Sequence, residues 1–268
     1  MRKQFAELSK QEVANNPNSY VLLGDIGIGA FLDKDDNLPA RVFNMGIAEQ
    51  AMIGFAAGLS TAGGNVIVHT IAAFLVERAF EQIKLCCGYN NAKLILISAN
   101  GPYDYDKLGP THHCPSDVSI LSTIPQFNIR IPATLEDMKD CYAEALASER
   151  GTYIRMTSRD AKVDSYSTVD SKWKKITGNN TAVVCIGESL TYQLNQNDGS
   201  TIYWTTDPSA TIPDELSAYD NIVILEPYTV EQIKVPTSIR DKYITRRCFS
   251  KEHKKIMKKN MGWEDFTL

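Results

Sequence analysis

The stretch Asn44-Met45-Gly46-Ile47-Ala48-Glu49-Gln50 sets a carboxylate at the head of Ala51-Met52-Ile53-Gly54-Phe55-Ala56-Ala57-Gly58-Leu59, a segment made only of small and apolar side chains. A segment apolar on every side predicts a helix buried all round, not an amphipathic surface helix. A carboxylate carried into such a setting needs a reason. Desolvation favours the neutral form of a buried carboxyl group and lets it donate a hydrogen bond, which suits acid/base chemistry. The competing readings are that Glu49 turns out to solvent or pairs with Arg41 or Arg78.

Around this segment, short apolar runs alternate with helical stretches. A polar helix from about Lys3 to Asn15 precedes Tyr20-Val21-Leu22-Leu23, which stops at Gly24-Asp25-Ile26-Gly27. Then come Val42-Phe43, the helix after Gly46, Val66-Ile67-Val68-His69, a helix from Phe74 to Cys87, and Leu94-Ile95-Leu96-Ile97. After the loop Asn100 to Pro115 the pattern resumes with a helix from Asp117, the strand Asn128 to Ile131, a helix from Thr134 to Ser148 and the strand Thr152 to Met156. Thr134 is placed to cap its helix, and Glu136 and Asp137 favour the positive end of the helix dipole. Such alternation predicts an α/β fold whose parallel sheet is covered on both faces. Residues 161–175 turn polar and read as a linker between a domain at 1–160 and a smaller α/β domain at 176–268, with strands at Ala182 to Gly187, Thr201 to Trp204 and Ile222 to Glu226. A chain of 268 residues with 43% hydrophobic side chains has material for both cores.

A formal net charge of −4 argues against a general nucleic-acid binder, which needs a basic face. The one basic cluster, Lys251, His253, Lys254, Lys255, Lys258 and Lys259, reads as a solvated helix face. Cys86, Cys87, Cys114, Cys141, Cys185 and Cys248 lack metal-ligand spacing, and the one close pair is adjacent, so all six read as reduced thiols. With no signal-like apolar core at the start and no uncharged apolar run long enough to span a bilayer, the expectation is a cytoplasmic protein that engages no membrane.

Ligands of open parallel sheets sit beyond the carboxyl ends of the strands. Asp25, the Glu49 helix, His69 with Thr70, the Asn100 to His113 loop and Arg159 all fall at such ends. Together they suggest a polar substrate, phosphorylated or not. The turn Gly24-Asp25-Ile26-Gly27-Ile28-Gly29 is not a dinucleotide fingerprint, because Leu32 stands where the third glycine belongs. His112 and His113 are adjacent and lack a spaced third ligand, so no metal site is expected; they read as donors to a substrate oxygen or as surface-loop residues.

Asn44 to Gln50, Ala56-Ala57-Gly58-Leu59, Phe74-Leu75 with Arg78 and Gln82, and Gly109-Pro110-Thr111-His112-His113 fall in the order and spacing of one family. Over residues 1 to 160 the chain closely resembles the pyrimidine-binding domain of the thiamine-diphosphate enzymes of the transketolase and 1-deoxyxylulose-5-phosphate synthase group. Residues 176 to 268 are similar to that group's C-terminal domain, though shorter. The resemblance implies that Glu49 donates to N1′ of the cofactor's aminopyrimidine, that Phe74 packs on its face and that Arg78 belongs to the cofactor site. It implies that His112 binds the sugar and acts in catalysis, that Arg159 binds substrate phosphate, and that Asp25, His69 and His113 belong to the substrate site. Taken by itself, Phe74 also fits an ordinary core position on an amphipathic helix.

Two departures from the family pattern shape the expectation. The Gly-Asp-Gly motif with a downstream Asn, which holds the diphosphate through Mg²⁺, is absent, so the resemblance implies a separate N-terminal transketolase-like subunit and an α2β2 heterotetramer with the active site at the interface. An Asp before Gly-Pro-Thr-His is replaced by Leu108, so a substrate hydroxyl contact is lost or moved to Asp104 or Asp106. The implied activity is transfer of a two-carbon ketol unit between sugars or sugar phosphates, active only with the partner chain. The alternatives are a relative that decarboxylates 2-oxoacids, of the deoxyxylulose synthase or pyruvate dehydrogenase β type, and a non-catalytic regulatory paralogue.

Overall fold

A computed structural model describes residues 1–125, 127–228, 232–239 and 243–247. The basic cluster at 251–259 and Cys248 lie outside the described residues. The first unit runs α1 (Arg2–Asn15), β1 (Ser19–Leu23), β2 (Val42–Asn44), α2 (Glu49–Thr61) and β3 (Asn65–Ile71). It continues with a helical segment α3, β4 (Leu94–Ala99), α4 (Asp117–Leu121), β5 (Asn128–Arg130), α5 (Leu135–Ala147) and β6 (Thr152–Arg155). Its six strands pair in the order β2-β1-β3-β4-β6-β5, all parallel, so the alternation in the sequence is the topology that folds.

Side-chain alternation along the strands supplies both faces of this sheet. Val21, Leu23, Ile67, Ile95 and Ile154 point to one side, where α1 and α5 cover them with Phe5, Val13, Met138 and Tyr142. Leu22, Val66, Val68, Leu94, Leu96 and Tyr153 point to the other, against Met52, Ile53, Ala56, Val76 and Ile83 of α2 and α3. The Thr134 cap forms as a full capping box: Thr134 Oγ1 accepts from Asp137 N, and Asp137 Oδ2 accepts from Thr134 N, each at 3.0 Å. The segment α3 is wound as π-helix over Ala73–Arg78 and Lys84–Tyr89, with one α-helical stretch, Phe80–Ile83, between them. π-turns of this kind cluster at functional sites.

The all-round burial expected for α2 is not what folds. Met52, Ile53 and Ala56 are buried, whereas Ala51, Gly54, Phe55 and Gly58 face outward. A helix lying on one sheet covers only one of its own sides, so the rest of an all-apolar helix stays open in a single chain.

The second unit holds β7 (Ser167–Thr168), β8 (Lys174–Ile176), β9 (Thr181–Ile186), α6 (Ser189–Gln196), β10 (Thr201–Thr205), β11 (Asn221–Glu226) and β12 (Tyr243–Arg247). Its sheet order is β12-β11-β9-β10-β8-β7, with β7 and β8 antiparallel at the edge. Four residues of the polar stretch read as a linker at 161–175, namely Ser167, Thr168, Lys174 and Lys175, lie in these strands. Edge strands half open to water carry polar residues, which makes them look like linker in sequence. Backbone bonds tie the units together, Ile131 N donating to Thr206 O and Ala161 N to Ala133 O, both at 2.7 Å. No helix among the described residues is long and apolar enough to cross a membrane.

Candidate active site

A cleft of about 460 Å³ opens at the carboxyl ends of β1 and β3, between the Gly24 to Gly29 turn, Ile47 and Glu49 at the head of α2, and Thr70, Ile71 and Phe74. Two backbone features shape its mouth. Gly46 and Gly27 have φ of +66° and +81°, which an L side chain rarely adopts. Asn44 fixes the turn, its Oδ1 accepting from Asp25 N at 3.1 Å and from Gly46 N at 3.0 Å.

Glu49 lines this cleft and is only 1% exposed. Arg78 Nη1 donates to its Oε2 at 2.7 Å, and Oε1 is buried without a partner among the described residues. Of the two arginines in reach by sequence, Arg78 is the one that pairs; Arg41 donates to the carbonyls of Val13 and Ser19 instead. The Arg78 guanidinium also lies 4.1 Å from the centre of the Phe74 ring, a cation–π arrangement. Glu49, Arg78 and Phe74 thus form one cluster built by the heads of α2 and α3.

His112 joins the same cluster from the loop after β4. Its ring meets Phe74 edge to face at 5.1 Å and Tyr105 at 6.0 Å, and its Nδ1 lies 2.9 Å from Thr111 Oγ1. Arg2, on α1, anchors the loop by donating to Asn100 Oδ1 at 2.8 Å and Tyr105 Oη at 2.6 Å. Asn100 takes up a left-handed φ of +68°, a conformation that asparagine tolerates better than most residues.

The remaining expected site residues separate. Asp25 is exposed on the rim of the cleft and takes a hydrogen bond from Asn44 Nδ2 at 3.3 Å. His69, by contrast, is a core residue: it is buried beneath Phe5, with ring centres 4.5 Å apart, and its Nδ1 lies 2.8 Å from Ile97 O. Burial pushes its pKa down to about 4, so at neutral pH the ring is uncharged and donates to that carbonyl. The other ring nitrogen faces Gly27, where an added Cβ would come within 3.1 Å of it. His113 is likewise buried, against the Tyr103 ring at 5.2 Å, and does not line the cleft. Arg159 is half-exposed, with its Nε 3.9 Å from Asp104 Oδ1. Leu108 is 55% exposed, and Asp104 does not replace the missing carboxylate freely, because its Oδ2 already accepts from Gly101 N at 2.8 Å and Ser158 N at 2.9 Å.

Sequence reasoning missed a second charged cluster. Arg155, at the end of β6, is fully buried; its Nη1 donates to Asp117 Oδ1 at 2.8 Å, and its Nη2 to Glu188 Oε1 at 3.1 Å and Pro227 O at 3.3 Å. Asp117 Oδ2 also accepts from Tyr153 Oη at 2.7 Å. A guanidinium inside the apolar run Thr152-Tyr153-Ile154-Arg155-Met156 is the signal that could have revealed it.

Comparison with known proteins places these features. Residues 1–162 match the family model for the transketolase pyrimidine-binding domain. The chain is 34% identical over 155 residues to an uncharacterized 33.6 kDa protein in the fasciation locus of Rhodococcoides fascians, covering 58% of this chain and 50% of that protein. It is 28% identical over 204 residues to one of the subunits of the apulose-4-phosphate transketolase of Phocaeicola vulgatus, covering 70% of this chain and 62% of that subunit. The chain therefore spans half to about three-fifths of the length of these curated relatives. Among solved structures it superposes on a split-gene transketolase, described as an inactive β4 tetramer, with a TM-score of 0.72 at 20% identity, covering 97% of this chain and 92% of that one. Against the transketolase of Campylobacter jejuni the TM-score is 0.70 at 13% identity, with 96% of this chain but 44% of that chain covered. With more than half its length matched by the pyrimidine-binding domain, and with Glu49 buried at the head of α2 beside Phe74, this chain belongs to the transketolase family.

Proposed function

We propose that this chain is the pyrimidine-binding half of a split transketolase, which transfers a two-carbon ketol unit between sugar or sugar-phosphate substrates once a separate N-terminal subunit joins it. The observation that carries the reading is the Glu49 Oε1 atom, buried without a partner among the described residues in a cleft whose other walls are largely apolar. An orphaned buried acceptor costs on the order of 1–3 kcal/mol unless a ligand satisfies it. A flat heterocycle with a ring nitrogen fits beside Phe74, so these residues suit the pyrimidine of thiamine diphosphate. Bound there, the cofactor supplies the electron sink that ketol transfer needs.

The chain's own residues then divide the work. Glu49 holds a proton against the ring nitrogen, and Phe74 offers its face to the heterocycle. Arg78, now stacked on that face, has to slide aside while keeping its bond to Glu49 Oε2. His112, within ring contact of Phe74, hydrogen-bonds a substrate oxygen, and Arg159, beside Asp104, takes the substrate phosphate. Asp25 completes the rim. His69 and His113 act behind it, His69 by filling the space under Gly27 and His113 by packing on Tyr103. Among the described residues, those lining the cleft include no cationic side chain, which suits a diphosphate and Mg²⁺ held by the partner. An α2β2 assembly in the cytoplasm fits this division; relatives named as transketolase subunits, for apulose 4-phosphate and for 6-deoxy-6-sulfo-D-fructose, support the separate partner chain.

Reconstitution tests the reading. Calorimetry on the isolated chain should show weak binding of thiamine diphosphate with Mg²⁺, and ketol transfer should appear on mixing with a chain that carries Gly-Asp-Gly and a downstream Asn. Tight, Mg²⁺-dependent binding to the isolated chain would sink the split-subunit proposal. Turnover of pyruvate but not of a ketose phosphate as donor would favour the reading as a relative that decarboxylates 2-oxoacids.

A further inference from the structure

The second unit reaches the His112 loop through a single turn. At the end of β9, Gly187 has φ of +52° and packs so tightly on the first unit that an added Cβ would sit 2.1 Å from Ile131 Cγ2 and 2.6 Å from Ile131 O. The next residue, Glu188, is thereby carried between the units. Its Oε1 accepts from Arg155 Nη2 and lies 3.0 Å from where a Cβ on Gly101 would stand. Asp104 Oδ2 comes within 3.4 Å of the same point and takes the Gly101 N–H. Gly101 opens the loop, whose stem closes where Cys114 N donates to Pro102 O at 3.0 Å. Its base is thus held between two ion pairs, Glu188 with Arg155 and Asp104 with Arg159.

We propose that Glu188 is a positioning residue: from the second unit, acting through Arg155 and the backbone of Gly101, it sets the loop that presents His112 to the cleft. This rests on the reading of that loop as part of the substrate site. The charged groups that face Glu188 are Arg155 from the first sheet, Asp117 from α4 and Asp104 from the loop, with the Pro227 carbonyl sharing the Arg155 guanidinium. Burial, opposed by Arg155 and reinforced by Asp104, raises the Glu188 carboxyl to about 7. Above that pH the Glu188 carboxylate is charged beside Asp104 as well as paired with Arg155. Below it Glu188 takes up a proton, and because the packed arrangement is what raises the carboxyl, protonation favours the packed loop.

Hydrogen–deuterium exchange on the full chain reads the loop directly. In Glu188→Ala, peptides spanning 100–114 should exchange roughly 10-fold faster while β1 and β3 keep their protection, as expected when one local unit opens. In the wild type, exchange of 100–114 corrected for intrinsic rates should slow as pH falls through about 7, and Glu188→Gln should abolish that inflection. With the partner chain present, Glu188→Ala should raise KM for a ketose phosphate about 10-fold and change kcat little, since a misplaced loop weakens binding more than chemistry. Unchanged exchange of 100–114 in a folded Glu188→Ala overturns the proposal. If that variant does not fold, an inflection that persists in Glu188→Gln overturns it. Absence of ketol transfer by the reconstituted wild type would count against the proposed function, while the exchange data still decide whether Glu188 holds the loop.

Discussion

The two sheets end differently. At the carboxyl rim of the first sheet lies a cleft with an orphaned Glu49 oxygen, a half-exposed Arg78 and an exposed Asp25. At the corresponding rim of the second, polar groups are spent on one another. Ser189 Oγ accepts from Ile186 N at 2.8 Å and donates to Leu225 O at 2.9 Å. Glu226 takes Tyr228 Oη, Gln232 N and Ile233 N within 3.2 Å, and Asp207 takes Lys172 Nζ at 2.7 Å. The same architecture thus leaves a carboxylate oxygen unpaired, among the described residues, at the rim of one unit and pairs the rim's polar groups in the other, where Thr205, Thr206 and Asp207 still line a cavity of about 420 Å³. Glu188, with its second oxygen unpartnered among the described residues, is the exception, and it faces the first unit. An open rim carries unsatisfied groups because a ligand completes them, whereas a closed rim that kept them would only lose stability.

This contrast breaks most sharply at the arginines. Arg155→Met strands Asp117 and Glu188 in the interior and should cost about 3–5 kcal/mol in urea denaturation, the usual range for breaking a buried pair. Arg78→Met, at a side chain 42% exposed, should cost no more than about 1 kcal/mol. Equal losses would mean that the cleft is as much a structural element as the inter-unit cluster.

Glu49→Gln probes the open rim chemically. Removing the acid/base group should slow deprotonation at C2 of thiamine diphosphate in the reconstituted complex by about 10²-fold or more, or roughly 2.7 kcal/mol, and leave unfolding nearly unchanged. An unaltered rate of hydrogen–deuterium exchange at C2 removes Glu49 from the mechanism.

Arg159 tests the contrast through substrate binding. Arg159→Ala should raise KM for phosphorylated substrates by an amount equal to about 1.5–3 kcal/mol, the range for a hydrogen bond to a charged group, and should spare an unphosphorylated analogue. Equal weakening of both substrates would reassign Arg159 to loop support through Asp104.

Much of this was legible in one dimension because it depends on near neighbours. Strand and helix alternation over residues 1–155, the Thr134 cap and the buried position of Glu49 follow from periodicity and capping chemistry, which act within a few residues. The ordered motifs from Asn44 to His113 carried the family. His69 and His112 show where local reasoning stops. Both follow apolar strands, yet one is sealed beneath Phe5 and the other meets Phe74. The edge strands β7 and β8 likewise fall at the linker, since nothing in their own composition says that β10 waits to pair with β8, and β8 with β7.

By itself, then, the sequence determined the order of elements and the carboxylate that must be accounted for, because these arise from side-chain period and short-range hydrogen bonding. The tertiary structure alone decided the partners: Arg78 over Arg41 for Glu49, Arg155 with Glu188 across 33 positions, and the outward face of α2. Pairing between distant charges is chosen by how chain segments cross and by which groups are driven from water together, and neither is written in the spacing of the residues concerned.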